Sequence, residues 1–181
     1  MLEPSDTPQP DVPLLKNRDF LLFVICRSFN VVSVHALTVA VGWHVYQISS
    51  DPFDLGLIGL AQFAPAFILF LLAGIVADRY QRKRIMVFCN FLHIIAVSLI
   101  AALFWYDNVS VGAILAVLVL HGAARSFFHT ASQAILPNLM STAQFPRAVA
   151  LSSSANKAAQ LFGPAFGGLL IAWLDDGVYF V

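Results

Sequence analysis

The chain has 181 residues, of which 59% are hydrophobic and only 11% charged, and its formal net charge is zero. A soluble domain carries about 25% charged residues to cover its surface. This chain lacks them, so a lipid bilayer must be the solvent for most of its length. Zero net charge speaks against a nucleic-acid partner. Cys26 and Cys89 both lie inside apolar runs and read as small core residues, neither a disulfide framework nor a metal site.

Residues 1–13 carry Glu3, Asp6 and Asp11, no Lys or Arg, and four prolines. A secretory signal needs a basic start and a short apolar core, and the prolines forbid a helix. Residues 1–18 are therefore expected to form a disordered cytosolic tail. A span needs roughly 20 apolar residues to cross the hydrocarbon. Five runs qualify, at about 20–48, 55–77, 85–105, 109–136 and 149–174, and a sixth starts at Gly177 and is cut off at Val181. The predicted fold class is an all-α membrane bundle, occupying residues 19–181. Its connections are short, so consecutive helices are antiparallel neighbours. A run that stops five residues in reads as a fragment whose continuation completes the sixth helix.

The ten basic residues set the orientation. Lys16, Arg18, Arg79, Arg82, Lys83, Arg84 and Arg147 fall on one side of the expected spans. The opposite connections hold no basic residue, only Asp51, Asp54, Asp107, Asp175 and Asp176. Cytoplasmic loops are the Lys/Arg-rich ones, so the N-terminus is expected inside a plasma (inner) membrane. Trp43, Trp105 and Trp173 then all fall at outer helix ends, where amphipathic rings favour the interface.

The connection after the second run reads Gly74-Ile75-Val76-Ala77-Asp78-Arg79-Tyr80-Gln81-Arg82-Lys83-Arg84. It resembles the G-x-L-A-D-R-x-G-R-R/K-R/K loop of the major facilitator superfamily, with Val76 in place of Leu and Gln81 in place of the second Gly. Asp78 sits at a helix C-terminus, where the macrodipole disfavours a carboxylate, so it wants a cationic partner or another helix's N-terminus. The resemblance implies that Asp78, with Gly74, Arg79, Arg82, Lys83 and Arg84, engages the second half of the protein when the cavity opens outward. The bland reading is that the cations only set topology.

Gly163-Pro164-Ala165-Phe166-Gly167-Gly168 in the fifth run resembles the helix-5 G-P-x-x-G-G signature found mainly in antiporters. Pro164 removes the backbone bond to the Gln160 carbonyl and favours a bend. Gly163 and Gly167 share one face and admit a neighbouring backbone. The segments WHVYQISSDPFDLGLIGLAQFAPAF and ARSFFHTASQAILPNL look like the exporter branch that includes the enterobactin exporter and macrolide efflux proteins. The resemblance implies twelve helices in two halves, an exported small molecule, protons as the counter-ion and a C-terminal half that completes the transporter.

Ionisable residues at bilayer depth are costly and usually face a cavity. In helix 4, His121, Arg125, His129 and Ser132 fall at roughly 0°, 40°, 80° and 20°, one narrow stripe. Helix 1 carries Arg27, Asn30, His35 and Thr38 in a broader sector. The resembled fold lines its cavity with these two helices. Arg27 either snorkels or faces the cavity. Lys157 either faces the cavity or bonds neighbouring carbonyls, and His93 reads as a packing residue with its polar atoms satisfied. His121 and His129 lie about 12 Å apart along the helix, too far for one metal ion, so no metal and no cofactor are expected. No carboxylate lies at depth in helices 1–5. His35 and His121 are therefore the local candidates for a coupling proton, and a carboxylate in the missing half is an equal one.

Nothing resembles an enzyme: there are no paired carboxylates at depth, no nucleophile triad order and no phosphate loop. The best reading is a proton-coupled exporter working by alternating access. The alternatives are a structural or assembly membrane protein and a facilitator that imports a solute. The orientation is tested with single cysteines at Asn108 and Gln81, in a background lacking Cys26 and Cys89. An impermeant thiol reagent applied to intact cells is expected to label the first alone. The reverse pattern overturns the topology.

Overall fold

The computed structural model describes residues 14–105 and 110–175. Among these residues it is all-helical, with α1 Arg18–Ser49, α2 Pro52–Ile68, α3 Phe70–Arg79, α4 Arg82–Trp105, α5 Val111–Leu139 and α6 Phe145–Asp175. The expected sixth run and the 107–108 turn lie outside the described residues.

Helix ends differ from the ends of the apolar runs by a few residues, because caps end a helix whereas hydrophobicity only decides where it lies. Asn17 accepts from the Asp19 and Phe20 amides at the start of α1. Asp51 caps α2, with Pro52 at the first helical position, where its missing N–H costs nothing. Ser110 caps α5 through the Ala113 amide. The expected disordered tail is already ordered at its inner end: Leu14–Lys16 form a 3-10 turn, and Leu14 packs on the Phe20–Leu136 cluster.

The second expected span is two helices. α2 and α3 meet at Leu69 with a bend of 48°. Pro65 lies one turn before the break and removes a helical amide there. No helix break follows at Pro164, through which α6 runs unbroken. By length and composition, α1, α4 and α5 each suffice to cross a membrane, and the bent α2–α3 pair makes a fourth. The polar residues Ser152, Asn156, Lys157 and Gln160 in its first half set α6 apart from these.

α5 is the hub: α4, α2 and α3 pack against it, while α1 packs chiefly on α6. The apolar core is split between the two ends of the bundle. Val41, Val45, Ile58, Ile100, Ile114 and Leu118 form one cluster at the α1–α2 end. Phe20, Phe23, Leu136 and Ala148 form the other, at the end carrying the 80–81 turn. Outward-facing apolar side chains are abundant, Phe67 at 72% and Leu71 at 76% exposure among them, as lipid-facing positions require. Cys89 is buried, but Cys26 is exposed and is not the core residue that its apolar run implied.

Two crossings are backbone-close. A Cβ on Gly163 would stand 2.7 Å from the His35 Cβ, and one on Gly167 would stand 2.8 Å from the Ala36 Cα. A Cβ on Gly122 would stand 2.5 Å from the Gln62 carbonyl oxygen. Gly168 meets nothing within 4 Å. Gly167→Ala is therefore expected to destabilise the solubilised protein by about 1–3 kcal/mol through overpacking. Gly168→Ala leaves the melting temperature unchanged or raises it, since Ala is the better helix former by about 1 kcal/mol. Equal effects of the two substitutions would refute the close crossing.

Candidate functional site

Between the two apolar clusters lies a polar belt. Arg125 is the middle residue of α5 and Gln160 the middle residue of α6. A cavity of about 420 Å³ is lined there by His35 and Thr38 of α1, Gln62 of α2, and Arg125, Ser126 and His129 of α5. A smaller one of about 130 Å³ shares His35, Arg125 and His129 and adds Arg27, Asn30 and Asn156. Apart from His121, the residues of the two stripes line these two adjoining cavities, with α2 and α6 supplying other walls.

The walls are held by polar ties between helices. Asn30 Nδ2 donates to Asn90 Oδ1 at 2.9 Å, joining α1 to α4. Such a bond averages about 0.6 kcal/mol inside a membrane protein. The Thr38 hydroxyl donates to the Val34 carbonyl at 2.9 Å and lies 3.3 Å from Gln62 Oε1. The Ser126 hydroxyl donates to the Ala66 carbonyl at 3.1 Å, next to the α2–α3 break. Arg27 Nη1 lies 3.4 Å from the Ser152 hydroxyl of α6, and its guanidinium is 6.0 Å from the Phe23 ring centroid. Arg27 therefore turns toward the bundle interior. Asn90, Gln62, Ser126, Ser152 and Gly122 escaped the sequence reading. The signals were present: polar or small residues embedded in apolar runs.

His121 does not join the cavity. It is buried, with its ring 4.6 Å from that of His93 on α4. Periodicity gave its angle on α5 correctly, but at that height α5 faces α4. His93 differs from expectation as well. Both its ring nitrogens, and Nδ1 of His121, are buried without a hydrogen-bond partner among the described residues. Lys157 is exposed and donates to Gln160 Oε1 at 3.4 Å, a side-chain partner where backbone carbonyls were the alternative.

The 74–84 segment lies at one end of the bundle, away from the cavity. Asp78 is exposed in the last turn of α3. Tyr80 is extended at φ −114°, and Gln81 has no positive φ, so this turn does not require the glycine that Gln81 replaces. Gly74 has open space around it. Arg82, Lys83 and Arg84 occupy the first turn of α4, the positive end of its dipole. Arg82 offsets this by donating to the Ala134 carbonyl of α5 at 2.6 Å. Asn17 donates to the Leu139 carbonyl at 3.3 Å. Two donors thus meet the negative C-terminal end of α5. In the helix-5 segment, Gly163 and Gly167 face α1, whereas Pro164 and Gly168 are exposed.

With this geometry in view, comparison with known proteins is decisive. The family model of transmembrane secretion effectors matches residues 11–181. The chain belongs to this family of the major facilitator superfamily. It is 30% identical over 185 residues to the uncharacterized MFS-type transporter YfiS of Bacillus subtilis, covering 93% of this chain and 42% of that protein. Macrolide efflux protein A of Streptococcus pyogenes is 22% identical over 144 residues, covering 80% of this chain and 36% of the relative. The staphyloferrin A transporter of Staphylococcus aureus is 22% identical over 135 residues, covering 74% and 34%. The chain therefore spans less than half the length of these relatives. No solved structure matches.

Proposed function

We propose that this chain is the N-terminal part of a secondary active exporter. The full-length protein moves a small molecule (a drug, a siderophore-like compound or a metabolite) across the plasma or inner membrane in exchange for protons. The observation that carries this reading is the polar cavity at mid-length, in a bundle whose outer surface suits lipid. α6 serves as the fifth span, the N-terminus lies in the cytoplasm, and a second half closes the cavity from the opposite side. Alternating access then rocks the two halves about a midplane site. The efflux proteins among the relatives support the outward direction.

Asp78 acts at the boundary between the halves. It is exposed at the negative end of α3, so a cation or a helix N-terminus in the second half complements it. Asp78→Asn keeps the size and removes the charge. Transport by the full-length protein is expected to fall at least tenfold while its amount in the membrane is unchanged. Normal turnover in this variant would falsify the gating role.

For coupling, His35 borders both cavities, whereas His121 is enclosed beside His93. The experiment imposes an inward proton gradient on vesicles holding the full-length protein and follows the efflux substrate. Efflux is expected to drop when the gradient is collapsed, and to lose its gradient dependence in His35→Gln but not in His121→Gln. Efflux indifferent to the gradient would sink the antiport reading. Retained coupling in His35→Gln would move the proton site away from His35.

A further inference from the structure

We infer that the mid-span cavity binds an anion, a carboxylate- or phosphate-bearing solute gripped by Arg27 and Arg125. The inference rests on the export reading above and narrows its substrate class. Arg27 and Arg125 both line the same cavity of about 130 Å³. Lys157 is tied to Gln160, another lining residue of that cavity. Against these permanent positive charges, no carboxylate lines either the small cavity or the 420 Å³ one. The described acidic side chains sit at helix ends: Asp19 and Asp54 in first turns, Asp51 as a cap, Asp78 in a last turn.

The donors are also unspent. Arg27 has one long contact, 3.4 Å to Ser152. Among the described residues, none accepts a hydrogen bond from Arg125. Guanidinium carries five N–H donors and no acceptor. An ionised group at the middle of a span with its donors unmet is costly. An oxyanion relieves that cost at Arg125, the middle residue of α5, and Arg27, in the first third of α1, lines the same cavity with a second planar fork that matches paired oxygens. The imidazole N–H groups of His35 and His129 and the Nδ2 of Asn156, all lining the smaller cavity, are the remaining donors for an oxyanion. The rival is that acidic residues of the second half neutralise the arginines and leave the cavity to cationic solutes.

Thermal unfolding of the solubilised full-length protein separates the two. The protein is titrated at constant ionic strength with citrate, inorganic phosphate or tetraphenylphosphonium. Citrate or phosphate is expected to raise the melting temperature saturably, and tetraphenylphosphonium to leave it unchanged. Arg125→Gln should weaken the apparent anion affinity at least tenfold. Arg125→Lys, which keeps the charge but not the fork, should weaken it less. If Arg125→Gln does not fold, Arg27→Gln takes its place. Saturable stabilisation by the cation alone overturns the anion class while the export reading survives. Anion shifts equal in wild type and variant, or no shift from either anion, also overturn it and leave export to the gradient experiment.

Discussion

The near contact of backbones where α6 crosses α1 is the constraint on which the rest of the bundle depends. Lipid tails are as apolar as the side chains they touch, so helices in a membrane gain little by hiding apolar surface from them. They associate where small residues let backbones approach, and Gly163 and Gly167 do this against His35 and Ala36. Gly122 does the same for α5 against Gln62 of α2. These crossings fix the spacing of the four helices that border the cavity. A single added methyl group at one of them meets backbone, which cannot swing aside as a side chain does. The cavity is thus defined by residues that do not line it.

The split core follows from the same geometry. Apolar clusters close the bundle at both ends, around Val41–Leu118 on one side and Phe20–Leu136 on the other. The middle is left to Asn30, His35, Gln62, Arg125 and His129. Polar groups at this depth find no water in the lipid, so they must face each other or a hydrated space. Ties such as Asn30 to Asn90 meet the first requirement, and Arg125 meets the second. Most of the basic residues gather at one end, where Arg82 and Asn17 clasp the C-terminus of α5. The loop that marks the superfamily is therefore also a structural clamp, with Asp78 exposed beside it.

Helical class, the helix positions to within a few residues and the family were legible in the chain, because bilayer thickness sets the length of an apolar run and the 74–84 and 163–168 patterns are specific. Helical periodicity put Arg125 and His129 on one stripe and His35 and Thr38 in one sector of another helix, while their meeting at a cavity was what the family resemblance implied; all four line the larger cavity. The family match later agreed with the resemblance that those two patterns carried.

Other features needed the neighbours that only folding brings. A stripe drawn from 100° steps gives an angle but not what stands opposite at each height, so His121 fell on the cavity stripe by angle and beside His93 in space. Both Pro65 and Pro164 lie within expected spans, and sequence alone made the second the bend. The tertiary structure broke the chain near the first, where Ser126 reaches the Ala66 carbonyl, and kept α6 whole. The sequence by itself determined which solvent the chain lives in and which residues must leave it, because those depend on composition and period. Tertiary structure alone decided which glycines touch backbone, which histidine is enclosed and which arginines share a cavity, because each depends on contacts between residues far apart in the chain.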